Sequence, residues 1–455
     1  MMRARVAEIE WPKFGAPDGP PPPDGASVYR RRLDALREEM ERRGLTHLAV
    51  YGDREHFGNL AWLTGFDPRF EEALLLVVPS DRPLLLVGNE CLGYVGVSPL
   101  VVEHDVRVER FAAFSLPDQP RPGGRTLAGI LRAEGVDAHS RVGCAGWKCY
   151  GDPHQSDVPA YLVDALRFAA GWESVTNVTD VLIDPRDGRR MEATPAEIAY
   201  FEYTGVLASE GMKRVILALR EGARDHELLE AARYNGVPLN CHMTLKCGDN
   251  RLSLASARDE RLRRGGRFSC GIGYWGANCC RAGWAASGAE DLPDEARDYE
   301  QAFALPYFEA MAAWFGFLRI GVSGGDLHQA IGNRFGVFLN AGHLIHREEW
   351  LASPVWEGST VPLRSGMVMQ SDVIPRSEIY YTARMEDGYA LADAALQGEL
   401  RREFPETMRR CEARRHFLRT VIGFEVADEV LPLSNLAGIM PVYYLDACGV
   451  PVLRG

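Results

Sequence analysis

Apolar positions recur at helical spacing early in the chain. Leu33, Leu36 and Met40 share one face of a helix expected over residues 29–43, and Gly44 follows where a helix-ending glycine belongs. The apolar run Leu48-Ala49-Val50-Tyr51 then stops at Gly52-Asp53, the pattern of a buried strand. Two more strands are expected at 73–78 and 83–88, with Ser80-Asp81 turning between them, and helices at 126–133 and 159–169. Strands alternating with helices up to about residue 181 describe one α/β domain.

The turn-forming stretch Asp184-Pro185-Arg186-Asp187-Gly188 marks a boundary. Beyond it Thr194 stands as an N-cap, with Glu197 completing a capping box for a long helix over 195–219. A shorter helix is expected at 226–234, strands within 267–286, and a long helix at 294–317. The section 336–366 is rich in loop residues and leads to strands at 367–375 and 378–385. A helix around 400–411 and an extended segment at 429–434 close the chain. The fold class is α/β in the broad α+β sense. An extended arm covers 1–28, a first domain 29–185 and a second 190–455.

Length changes this picture little, since 455 residues suit two or three domains. The net charge of −12 disfavours nucleic acid and anionic membranes as partners, and by itself it points to no particular substrate. The run Arg261-Leu262-Arg263-Arg264 reads as solvated surface in so acidic a chain. The arm, with Pro20 to Pro23 in a row, holds no apolar run resembling a signal peptide. No stretch is long and apolar enough to span a bilayer, and the ten cysteines contain no C-x-x-C pair. Reduced thiols and a cytoplasmic setting are expected.

Tyr51-Gly52-Asp53, followed by Asn59-Leu60-Ala61-Trp62-Leu63-Thr64-Gly65-Phe66, resembles the N-x-x-Y-L-T-G-F stretch of the amino-terminal domain in creatinase and aminopeptidase P (Xaa-Pro peptidase) relatives. The second half resembles their pita-bread domain at Glu192-Ala193-Thr194-Pro195-Ala196-Glu197-Ile198, Ser365-Gly366-Met367-Val368 and Arg384-Met385-Glu386-Asp387-Gly388. Glu429-Val430-Leu431-Pro432-Leu433-Ser434 matches the family's ending. The resemblance implies a creatinase-like amino-terminal α/β domain before a pita-bread domain, paired as a homodimer.

Metallopeptidases of that family hold two divalent metals with two Asp, one His and two Glu. At the two aspartate positions this chain has Gly271 and Cys280, neither a carboxylate. The histidine position is His343 in Gly342-His343-Leu344-Ile345-His346, and His346-Arg347-Glu348 resembles a later His-Glu element. The glutamate positions are Asp372 and Glu386. Creatinase works without metal through a histidine after a Ser-Gly-x-Asn-like stretch. The comparable residues 247–255 contain no histidine, and His242 precedes them.

These residues set the expectations. His343 or His346 shuttles protons, histidine being the side chain suited to it near neutral pH. Asp372 and Glu386, held close, raise each other's pKa and bind the cationic part of a substrate or share a proton, or else form an ion pair with Arg384 or Arg376. Cys280 is a candidate nucleophile should a histidine lower its pKa. Cys279, Arg281 and Arg384 are candidate substrate contacts. Phe66, Arg69 and Phe70 resemble the loop that in creatinase reaches into the partner's pocket. Arg54-Glu55-His56 reads as a strand-end network.

The leading expectation is a metal-independent, cofactor-free creatinase-like hydrolase or lyase cleaving a C–N bond of a small amidine, amide or amino-acid-like compound. One alternative is a one-metal Xaa-Pro peptidase-like metallohydrolase using His343, Asp372 and Glu386. The other is a catalytically inactive pita-bread protein that binds a ligand or a partner chain.

Overall fold

The computed structural model describes residues 3–78, 81–120, 123–247, 255–332 and 334–453. It forms two compact units, Pro23–Met191 and Met1–Pro22 with Glu192–Gly455. Residues 1–22 of the arm are therefore part of the carboxy-terminal unit, while 23–28 belong to the first unit. Its strand β1 (Ala4–Glu8) pairs antiparallel with the last strand, β16 (Gly449–Leu453). Within the expected extended arm, residues 4–8 are thus a paired strand, a contact between distant segments that leaves no local sequence signal.

In the first unit, helix α1 (Ala26–Arg43) buries Leu33, Leu36 and Met40 and stops on Gly44, whose φ of 66° suits glycine. The strands β2 (His47–Gly52), β3 (Ala73–Val77), β4 (Leu84–Val87), β5 (Arg107–Arg110), β6 (Val142–Ala145) and β7 (Val175–Asn177) form one sheet in the order β5-β4-β3-β2-β6-β7. Alternate residues of β2 and β3 enter two apolar clusters, one on each face. Burial on both faces explains why these strands read as continuous apolar runs. The expected turn at Ser80-Asp81 lies partly outside the described residues.

In the second unit, helix α2 (Pro195–Ala218) starts with the expected capping box: the Thr194 side chain accepts from Glu197 N–H, and Glu197 accepts from Thr194 N–H. It packs on the hairpin of β9 (Gly266–Tyr274) and β10 (Ala277–Ala285). That hairpin turns at Gly276, at φ 80°, where a Cβ would collide with the Phe201 ring. With β8 (Thr244–Lys246) and β13 (Arg384–Glu386) it forms a sheet ordered β13-β10-β9-β8. A second sheet runs β11 (Phe338–Leu344), β12 (Val368–Pro375), β14 (Gly388–Leu391), β15 (Val430–Pro432). Among the described residues no helix is long and apolar enough to cross a membrane.

Several expected elements differ. The section 336–366 contains β11, whose pairing with β12 is broken by register shifts around Ala341; Gly342 there has φ 105°, so no regular alternation shows in the sequence. The helix expected over 294–317 is regular only as α3 (Leu305–Phe317), preceded by a wide turn at Glu300–Ala304, since Pro306 lacks the N–H that would continue the ladder. The helix around 400–411 is two helices, Ala394–Glu403 and α4 (Pro405–Phe417), divided where Pro405 begins the second. The helix expected at 226–234 is Asp225–Glu230, and of 378–385 only the end joins β13.

The docking of the arm is testable at Trp11, which is buried and donates its indole N–H to Ala447 O at 2.8 Å. Trp11→Ala is expected to cost about 3 kcal/mol in urea unfolding, through lost burial and the cavity left behind. An arm lying loose would show under about 0.5 kcal/mol.

Candidate active site

Pairing in the first sheet of the carboxy-terminal unit sets a row of residues across four strands. Glu386 on β13 is opposite Cys280 on β10, Cys280 is opposite Gly271 on β9, and Gly271 is opposite Thr244 on β8. Residues in such a row share one face of the pleat. A Cβ at Gly271 would stand 3.0 Å from Thr244 Oγ1 and 3.1 Å from Cys280 Sγ, so neighbouring side chains crowd the place a side chain would take. The second sheet brings His343 on β11 and Asp372 on β12. One donor atom each from His343, Asp372 and Glu386 lies within 4.8 Å of the others, and all three residues are buried.

Arg384 binds this group together. Its Nε and Nη2 donate to Asp372 Oδ1 at 3.1 and 2.5 Å, and Nη2 reaches Glu386 Oε2 at 2.6 Å. Asn340 Nδ2 donates to the other Asp372 oxygen at 2.8 Å. Burial alone would raise Asp372, but Arg384, His343 and Asn340 outweigh it and hold the carboxyl below the ordinary aspartate value. Glu386 goes the other way: burial, then the charge of Asp372, push it to about 8 against the pull of Arg384. At neutral pH one carboxyl is ionised and its neighbour carries a proton.

His343 Nδ1–H donates to Leu344 O at 3.1 Å, which leaves Nε2 with its lone pair, 3.9 Å from Asp372 Oδ2. Burial lowers its pKa despite Asp372. The imidazole stacks on the half-exposed Trp350 ring at 4.1 Å with the planes 10° apart. Glu349 lies within electrostatic reach of Asp372 and Glu386; burial raises its pKa against a hydrogen bond with Cys241.

The residues present do not fit the two-metal centre that the resemblance implies. The row offers glycine and a thiol where two carboxylates are needed, and Arg384 already holds an oxygen of each remaining carboxyl. The same contacts correct the expectation that Asp372 and Glu386 are open to a substrate cation, and they make Arg384 part of the site's own charge balance.

Other expected residues are placed elsewhere. Cys279 and Arg281 alternate with Cys280 on β10 and face the opposite side. There the fully buried Arg281 pairs with Asp387 at 2.8 Å and donates to the carbonyls of Cys280, Glu386, Leu436 and Ile439, while Cys279 Sγ lies 3.6 Å from Asp387. With its donors so committed, Arg281 is a structural cation, not a substrate clamp. His346 packs against α2, 3.4 Å from Glu197 and edge-on to Phe201, outside the His343 group. Cys280 shares a hydrogen bond with Glu386, and burial with that carboxyl's charge lifts its thiol well above the usual value, the reverse of what a thiolate nucleophile needs.

In the amino-terminal unit Phe66 is a fully buried core residue, which removes it as a substrate contact. Arg69, at φ 58°, lies over the Tyr94 ring, and Phe70 is exposed. His56 stacks on Trp147 and its Nδ1 is 3.2 Å from an oxygen of Asp53. Residues 248–254 of the stretch compared with creatinase lie outside the described residues. Asn340, Glu349 and Trp350 were missed by sequence reasoning. They belong to a section read as loop, and only the crowding of Arg347-Glu348-Glu349-Trp350 after the histidines hinted at them.

Residues 32–145 match the creatinase/prolidase N-terminal domain. No curated protein matches the chain by sequence. Among solved structures it is similar to a prolidase from Pyrococcus horikoshii OT3, with a TM-score of 0.62 at 17% identity over 80% of this chain and 95% of that one. It is also similar to dipeptidase PepE from Mycobacterium ulcerans, with a TM-score of 0.61 at 19% identity over 82% and 95%. The X-Pro aminopeptidase of Thermotoga maritima MSB8 gives 0.60 at 15% over 80% and 95%. The fold is thus the pita-bread arrangement expected, with a creatinase-like amino-terminal domain.

The raised Cys280 thiol predicts slow alkylation. With iodoacetamide at pH 7, followed by mass spectrometry, the exposed Cys448 is expected to label at least about ten times faster than Cys280. Equal rates would mean a reactive thiolate in the site.

Proposed function

With a creatinase/prolidase N-terminal domain and the fold of the prolidases as premise, we propose that this chain is a hydrolase cleaving a C–N bond of a small amide, amidine or amino-acid-like compound by acid–base chemistry. The observation that carries the reading is the convergence of the buried His343, Asp372 and Glu386, one donor atom of each within 4.8 Å of the others, with burial lowering the His343 pKa and raising that of Glu386. A water spanning the 3.9 Å between His343 Nε2 and Asp372 Oδ2 would lose its proton to Nε2 as its oxygen attacks the substrate carbon. Asp372 steadies the imidazolium so formed. Glu386 gives its proton to the leaving nitrogen as the C–N bond breaks, and the imidazolium proton then returns the pair to its starting state. Arg384 keeps Asp372 ionised, and the Trp350 stack holds the imidazole plane.

An elimination could use the same pair, and incorporation of label from ¹⁸O-water into product separates the two. His343→Ala is expected to lower turnover about a hundredfold or more on a substrate found among Xaa-Pro dipeptides, guanidino acids and small amides. An unchanged rate would remove the base. Activity requires His343 neutral and Glu386 protonated. The rate should therefore rise with pH through a value below the usual histidine 6.5, and fall as Glu386 ionises near 8.

A single bound ion is the second reading, favoured by the three donor atoms lying within 4.8 Å. Elemental analysis of purified protein near one equivalent of zinc, manganese, cobalt or iron, with activity lost on chelation, would establish it against the proposal. We also infer a twofold homodimer, the commonest closed assembly, in which the exposed Arg69 and Phe70 would reach a neighbouring site. A monomer in sedimentation at micromolar concentration removes that role.

A further inference from the structure

The face of the β9–β10 hairpin that carries Cys280 opens to solvent. Ser269, Gly271 and Cys280 are part-exposed, whereas Cys270, Ile272, Cys279 and Arg281, which alternate with them, are buried. Two residues before Cys280 on that same face is Asn278, opposite Gly273 and 3% exposed. Its Oδ1 accepts from Asn240 Nδ2 at 2.8 Å. Among the described residues the other end of each amide, Asn278 Nδ2 and Asn240 Oδ1, has no hydrogen-bond partner, although both atoms are buried. A Cβ at Gly273 would stand 2.2 Å from Asn240 Oδ1 and 2.7 Å from Asn278 Oδ1, so only glycine there lets the two amides lie against the strand.

This amide pair borders the His343–Asp372–Glu386 group. Cys241, next to Asn240 in the chain, hydrogen-bonds Glu349, which lies within electrostatic reach of Asp372 and Glu386. Pro238 O accepts from Trp275 N–H at 3.0 Å, which ties the same segment to the tip of the hairpin. A buried amide end without a partner costs about 1–3 kcal/mol, and here two occur in one pair. Turning both amides over changes nothing essential: one hydrogen bond still joins them, and one acceptor and one donor are still left over.

We infer that Asn240 and Asn278 are specificity-determining residues that hold a neutral –C(=O)NH2 group of the ligand, a primary carboxamide or a ureide end. One leftover acceptor and one leftover donor match the N–H and C=O of such a group. A carboxylate would set an oxygen against Asn240 Oδ1, and an amidinium would set an N–H against Asn278 Nδ2, so either ion leaves a buried group unpaired. Two residues along β10 place this subsite about 7 Å from the row of Cys280 and Glu386, within reach of a compound of amino-acid size. That the ligand is a substrate rests on the proposed hydrolysis; the subsite itself rests on the two amides.

The test is a ligand-observed NMR titration of the whole chain with acetamide, acetate and acetamidine, which share one shape and differ in charge. Acetamide should bind saturably, with acetate and acetamidine each weaker by about tenfold or more. Asn278→Asp and Asn240→Asp each leave only oxygens facing the ligand, so the preference should reverse in favour of acetamidine by about tenfold. Should one of these variants fail to fold, the other decides. His343→Ala should keep the acetamide preference, so a failure of the proposed chemistry would leave this result intact. The proposal is overturned if acetamide does not bind saturably, or if acetate or acetamidine binds the parent as tightly. It is equally overturned if the Asp variants keep the parent's preference.

Discussion

Two carboxyl groups buried side by side repel each other and lose their hydration, and here one guanidinium makes the pair tolerable. Arg384 and Glu386 stand two residues apart on β13, so the pleat sends them to the same face. The contact is unequal: Arg384 makes two hydrogen bonds to Asp372 and one to Glu386, and Asn340 adds a further donor to Asp372 alone. Charge therefore settles on Asp372 and the proton on Glu386. The neutral His343 completes a group whose members differ in protonation because their neighbours differ.

The other face of the same sheet explains why this arrangement stays in place. Glu386 and Asp387 are adjacent in sequence, yet one joins His343 and Asp372 and the other is the buried partner of Arg281. Arg281 finds a carboxylate and several carbonyls, and Ser434 donates to the remaining Asp387 oxygen. A cation so fully satisfied adds little net stability over an apolar packing, but it penalises any slip of β10 against β13 that would unpair it. That pairing keeps Cys280 opposite Glu386.

The metal question reduces to charge. Four carboxylates suit two divalent cations. With Gly271 and Cys280 at two of those positions and Glu386 protonated, the remaining single negative charge is matched by one guanidinium. Glycine and thiol also suit the space, since Thr244 and Cys280 already crowd the place a side chain at 271 would need.

The sequence by itself determined what local interactions govern. Gly44 ended α1 and Thr194 with Glu197 opened α2, because a cap acts within one helical turn. Motif order placed His343, Asp372 and Glu386 in register, and apolar runs marked the buried strands of the first unit. Tertiary structure alone decided the rest. It put His343 on a bulged strand that reads as loop, brought Asn340 and Trp350 to the site, and turned Cys279 and Arg281 away from Cys280. It also joined Ala4 to Leu453, and Arg281 to a carbonyl 158 residues away. Such contacts depend on which surfaces meet when the sheets pack, and no residue's immediate neighbours in the chain carry that information.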